Sequence, residues 1–176
     1  MKKRKTKQLA IGAVMSALSV VVLYVGAILD VMDISSACLA SFAVLFFMAE
    51  YGTAMAFGVY AAISILSFIV LPQKLPAFFF ALLFGIMPIT KCLCERLGTH
   101  IGAILSYSLK LLIFNAELVI LGLSASKLLE LPESMLMVAV YILLSNVIFV
   151  LADRLYGILT VMYFRTFRKK IEKYLK

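Results

Sequence analysis

The sequence predicts an all-α, polytopic membrane protein with six transmembrane helices, and three observations carry that prediction. Hydrophobic residues make up 64% of the 176-residue chain, only 15% are charged, and the mean hydropathy is +1.09. A soluble domain of this size cannot bury that much apolar surface. The apolar residues fall into six runs, at 9–29, 34–49, 53–71, 76–90, 101–124 and 134–152, with no strand-like alternation in any of them. The basic residues, finally, collect at the ends of these runs on one side of the membrane.

The first run follows a basic start, Lys2, Lys3, Arg4, Lys5 and Lys7. Its 21 residues exceed the apolar core of a signal peptide, and no small-x-small cleavage site closes it, so it reads as a membrane helix. Residues 30–36 form an acidic and polar turn, Glu50-Tyr51-Gly52 a tight one, and Pro72-Gln73-Lys74-Leu75-Pro76 one bounded by prolines. The second run is short. The fourth contains Gly85 and Pro88, and Pro88 removes a backbone donor and predicts a kink. Residues 96–100 and 125–133 supply the last two loops. The sixth run is expected to end at Ala152, with Asp153 and Arg154 at the cytoplasmic boundary; the alternative is a longer helix that buries them as a pair. Residues 155–176 turn from apolar to basic, with Arg165, Arg168, Lys169, Lys170, Lys173 and Lys176 interleaved with apolar residues. Such a segment is expected to lie as an amphipathic helix along an anionic inner leaflet.

These elements form one membrane domain: a basic tail at 1–8, a six-helix bundle at 9–154 and a basic interfacial helix at 155–176. A cytoplasmic N-terminus puts fourteen lysines and arginines on the inner side and two, Lys74 and Lys127, outside. Both termini are therefore expected in the cytoplasm. The net charge of +8 does not point to nucleic acid, because the basic residues sit at membrane exits rather than on a folded basic face.

The fifth run carries the most chemistry. Lys110 and Glu117 are two helical turns apart and share one face with Ser106, while Asn115 and Ser108 form a second polar stripe. An ionised side chain at mid-bilayer costs about 2.5–3.5 kcal/mol on insertion scales, so two in one span call for an explanation. The expectation is a helix central to the bundle, with one stripe toward a neighbour and the other toward a solute-binding cavity. The alternative is structural, with the two side chains paired or snorkelling to opposite faces. Lysine and glutamate together suit a zwitterionic or amide-bearing ligand, with Asn115 or Asn146 adding hydrogen bonds.

Several chemistries lack their residues. Cys38, Cys92 and Cys94 do not have zinc or CxxC spacing, and no phosphate loop, HExxH or GxSxG motif occurs. The only histidine, His100, is expected in a cytoplasmic turn. No catalytic residue, metal or cofactor is expected. Ala13xxxAla17 in the first run is a small-xxx-small pattern, which serves either packing inside the bundle or docking of another protein.

The basic start with Ala13xxxAla17, six short helices and a basic tail resemble the substrate-binding S components of energy-coupling factor (ECF) transporters. So do Leu71-Pro72-Gln73-Lys74-Leu75, Phe84-Gly85-Ile86-Met87-Pro88-Ile89, Lys110-Leu111-Leu112-Ile113-Phe114-Asn115 and Ala152-Asp153-Arg154-Leu155-Tyr156-Gly157. The resemblance implies a subunit of a cell membrane, multi-pass and bacterial, that captures a vitamin or similar micronutrient from outside. It implies a cap from residues 30–36, including Asp30 and Asp33, with Gln73 and Lys74 contributing. It further implies that Ala13 and Ala17 meet a transmembrane coupling subunit, and that two ATPase subunits drive import. Two other classes stand beside it: a scaffold resembling the rod-shape determinant MreD, and an autonomous small transporter.

Overall fold

A computed structural model describes residues 2–29, 32–124 and 135–167. The helices are α1 (Lys2–Leu29), α2 (Asp33–Tyr51), α3 (Thr53–Val70), α4 (Leu75–Phe79), α5 (Met87–Ile101), α6 (Ala103–Ser124) and α7 (Met135–Met162). Two π-helical turns, Phe80–Phe84 and Tyr163–Phe167, extend α4 and α7. Six stretches are long and apolar enough to cross a membrane, the fourth being Leu75–Gly98 and the sixth Leu136–Arg165. No strand occurs among the described residues.

The bundle is organised around α2, which touches α1, α3, α4, α5, α7 and the first π turn. Its small residues explain why. Ala37, Ala40 and Ser41 are at most 1% exposed and let neighbouring backbones come close, the packing mode that lipid favours. Larger side chains, Leu23, Val44, Phe47, Ile63 and Phe80, fill the space between α1, α2, α3 and the first π turn. The fifth span is not the central helix expected of it. One narrow face of α6 is buried, through Ser106, Lys110, Phe114 and Leu121, while Ile104, Leu112, Val119 and Leu123 face outward.

Single glycines make two of the turns. Gly52 (φ 82°, ψ −177°) separates α2 from α3, and Gly102 (φ 92°, ψ 153°) separates α5 from α6. A side chain is strained in that region of backbone space, so each helix pair is joined by one residue that only glycine fills easily. Residues 96–100, expected as a loop, are helical, and His100 lies in α5. The interruption expected near Pro88 is present and has a definite form. Gly85 N donates to Phe80 O at 2.7 Å, a five-residue step, and Pro88 enters the first turn of the new helix, where no donor is needed.

The sixth helix does not stop at Ala152. It continues to Met162 and through the π turn to Phe167, so residues 155–162 are continuous with the helix before them, in a stretch long and apolar enough to cross a membrane. Nothing after Arg154 breaks a helix until the basic tail, and the Asp153 charge is compensated inside the bundle. Residues 168–176 lie outside the described residues.

Candidate functional site

Three helices bring four charges together. On α5, Lys91 and Glu95 are one turn apart, with Nζ and Oε1 3.1 Å from each other. On α6, Lys110 reaches the same Glu95 oxygen at 3.1 Å. On α7, the Asp153 Oδ1 lies 2.8 Å from Lys91 and 3.4 Å from Lys110. Lys91 also donates to the Asp153 backbone carbonyl at 2.9 Å. Two ammonium groups and two carboxylates therefore form a closed, neutral ring. The side chains of Lys91, Lys110 and Asp153 are 12%, 7% and 11% exposed, and that of Glu95 53%. Neutrality and mutual hydrogen bonding are what allow three of these charges to be buried at all.

The α5–α6 crossing that sets this geometry is close. Ser106 Oγ donates to Cys94 O at 2.6 Å, and a Cβ added at Gly98 would lie 2.9 Å from that of Ser106. Glycine at 98 lets the two backbones approach, which places Lys110 one turn beyond Ser106 against Lys91 and Glu95. Phe114 and Phe149 close the other side, their centroids 4.6 Å apart.

Lys110 and Glu117 do line one space, together with Thr90, Lys91, Phe149 and Asp153. They do not pair with each other; Lys110 is taken by Glu95 and Asp153, and Glu117 has no ion pair among the described residues. The enclosed volume is about 10 Å³. That takes one water, whereas sites for small molecules run to roughly 300–1,000 Å³. The space at Lys110 and Glu117 is thus far smaller than a site for a small molecule, with Phe114, Phe149, Lys91 and Asp153 close around it.

The remaining expected site residues lie elsewhere. Asn115 and Asn146 hold each other through two amide bonds of 3.0 and 3.1 Å. Each also donates at 2.8 Å to the carbonyl four residues earlier, so the pair fastens α6 to α7 with both amide groups in use. Lys74 Nζ donates to Phe68 O and Leu71 O at 2.9 and 2.6 Å, closing the C-terminus of α3. Gln73 is exposed beside it, and Asp33 is buried in the first turn of α2. None of these three lines the Lys110 space. Asp30 lies outside the described residues. Ala13 and Ala17 are exposed on α1, whereas Gly12, Ser16, Ser19 and Val20 point inward.

Comparison with known protein families, curated proteins and solved structures finds no match to this chain. The site is therefore read from its own chemistry.

The sequence reading missed three members of the ring. Lys91 stood among the charges of a cytoplasmic exit, Glu95 was not singled out, and Asp153 was placed at the boundary with Arg154. The structure buries Asp153 alone, with Arg154 exposed. One signal was available: Lys91xxxGlu95 has the spacing of an intrahelical pair, and ten residues free of Pro and of charge follow Arg154.

Proposed function

We propose that this chain is the substrate-binding subunit of an ECF-type importer, taking a vitamin or similar micronutrient from the outer face of a bacterial cell membrane. It passes the solute inward with a transmembrane coupling subunit and ATPase subunits, and both of its termini are cytoplasmic. The observation that supports this reading is the outward position of Ala13 and Ala17. Small residues four apart serve close helix contact, and these two are exposed on α1, which leaves them open to a helix of another protein. ATP hydrolysis belongs to the partners, in keeping with a chain that carries no phosphate loop.

On this reading the solute enters from the outer half of the bundle, and Glu117 is the first ionisable group it meets on α6. Binding requires the bundle to open beyond the one-water space beside Lys110, which makes ligand capture a conformational event. A scaffold of the cell-shape kind is the second reading, favoured by that same filled interior.

One set of measurements separates them. The tagged chain is purified from its host membrane, its co-purifying proteins are identified, and native mass spectrometry is run for small molecules that travel with it. The importer reading expects ATPase subunits and a bound solute. It also expects Ala13→Trp and Ala17→Trp each to release the ATPases while the solute stays. Cell-shape proteins in place of ATPases, with no small molecule, would establish the scaffold instead.

A further inference from the structure

A second space, on the far side of α2 from α1, has a different character. It is an open groove of about 200 Å³ between α2 and α7, lined by Phe42, Phe46 and Ala49 on one wall and Leu159, Thr160 and Tyr163 on the other. Two aromatic posts hold the walls apart. Phe42 packs edge-on against Tyr156 at 6.1 Å, and Phe46 against Tyr163 at 5.5 Å. Each post is anchored by a hydroxyl: Tyr156 on Ser41 at 2.6 Å, Tyr163 on Glu50 at 3.0 Å. The short side chain of Thr160 stands between the posts on α7, that of Ala49 lies one turn past Phe46 on α2, and the Thr160 hydroxyl turns back to Tyr156 O at 2.7 Å. The walls are therefore apolar, and the space is kept open by fixed rings rather than closed by repacking.

The groove runs toward one end of the bundle, and that end is basic. Arg165 is exposed two residues beyond Tyr163. The basic start of α1 belongs to the same end, since Gly12 lies against Phe47 of α2. Glu50 is the acid at the mouth, and the Tyr163 hydroxyl covers one of its oxygens. A space of this volume is too narrow for a helix about 10 Å across. It suits a single hydrocarbon chain whose polar end emerges among cations.

We propose that the α2–α7 groove holds one acyl chain of an anionic phospholipid, with its headgroup on Arg165. The aliphatic chain takes the apolar walls, and the negative headgroup finds the positive charges at the level of the membrane surface. The proposal does not depend on the importer reading.

The test uses the full-length protein in a mild detergent with equimolar phosphatidylglycerol and phosphatidylcholine of identical acyl chains. Native mass spectrometry is expected to show one phosphatidylglycerol retained over phosphatidylcholine by roughly fivefold, the order of one basic contact at a membrane surface. Arg165→Glu removes that preference, and Ala49→Phe, which fills the groove, removes the adduct. Equal retention of the two lipids by the native protein, or a preferential adduct that survives Ala49→Phe, overturns the proposal. Should Ala49→Phe fail to fold, phosphatidylglycerol with a diazirine in its acyl chain is cross-linked to the native protein. Labelling concentrated in residues 42–49 and 159–163 upholds the groove, and labelling spread evenly over the outward face of α6 overturns it.

Discussion

Asp153→Asn separates the ionic ring from the packing around it, since the two side chains have nearly the same shape. The substitution leaves Lys91 and Lys110 with Glu95 as their one carboxylate, and Glu95 is half-exposed. Removing one partner of a buried pair costs about 3–5 kcal/mol in soluble proteins. Hydrogen bonds between membrane helices measure less, averaging about 0.6 kcal/mol, because the unfolded helices find other partners in the membrane. Asp153 makes two charged contacts, one short and one long, and its backbone bond to Lys91 survives the substitution. A cost of about 3 kcal/mol is therefore expected, toward the lower end of the buried-pair range. Glu95→Gln touches the same two lysines from the exposed side of the ring and is expected to cost about 1 kcal/mol or less. Lys91→Met combined with Asp153→Leu removes a neutral pair, leaves Lys110 on Glu95, and should return to within about 1 kcal/mol of the native protein. Unfolding in mixed micelles titrated with dodecyl sulfate and followed by circular dichroism gives all three values. Equal costs for Asp153→Asn and Glu95→Gln would refute the reasoning, because burial would then have no bearing on what the carboxylates contribute.

Two further outcomes use the same assay. Asn115→Leu strands the Asn146 amide and should cost about 0.6–1.7 kcal/mol, while Asn115→Leu with Asn146→Leu should cost less than the two single changes added together; strict additivity would mean the pair is not coupled. Gly98→Ala drives a methyl into Ser106 and should cost about 1–3 kcal/mol, with partial recovery on adding Ser106→Gly; no recovery would place the strain elsewhere.

The spans were legible in the sequence because lipid imposes a simple rule: a crossing segment satisfies its backbone internally and presents apolar side chains. The turns were legible too where glycine or proline made them, at Gly52 and Pro72, and so was the interruption near Pro88. Partner identity was not. Lys110 and Glu117 share a helical face, and periodicity alone suggests that they act together. What decides the matter is that Glu95 and Asp153, on two other helices, take up Lys110. A charge that is neutralised across helices looks, in one dimension, like a charge at the end of a helix, and this is why the sixth span was expected to stop ten residues early. The Asn115–Asn146 pair was hidden in the same way. Each asparagine alone reads as a ligand for a solute, and only their mutual distance shows that both are in use.

The way α7 is held follows from the same physics. Just 17% of its most apolar stretch is buried, the least of the six spans. Lipid is as apolar as leucine, so apolar contact gives this helix little reason to prefer the bundle. Asn146, Phe149, Asp153, Tyr156, Thr160 and Tyr163 alternate three and four residues apart, which is the seam of a helix packed along one narrow stripe. Four of the six use a polar atom to reach another helix: Asn146 to Asn115, Asp153 to Lys91 and Lys110, Tyr156 to Ser41, Tyr163 to Glu50. Directional bonds of this kind fix register where dispersion cannot, since a slip of one residue breaks them all together. They also concentrate the attachment of α7 in a few groups, so that changing one charge loosens a whole helix. Among the described residues, α7 lines both the one-water space, through Phe149 and Asp153, and the groove against α2, through Leu159, Thr160 and Met162. Movement of α7 away from the one-water space beside Lys110 therefore works against the bonds that Asn146 and Asp153 make to α5 and α6.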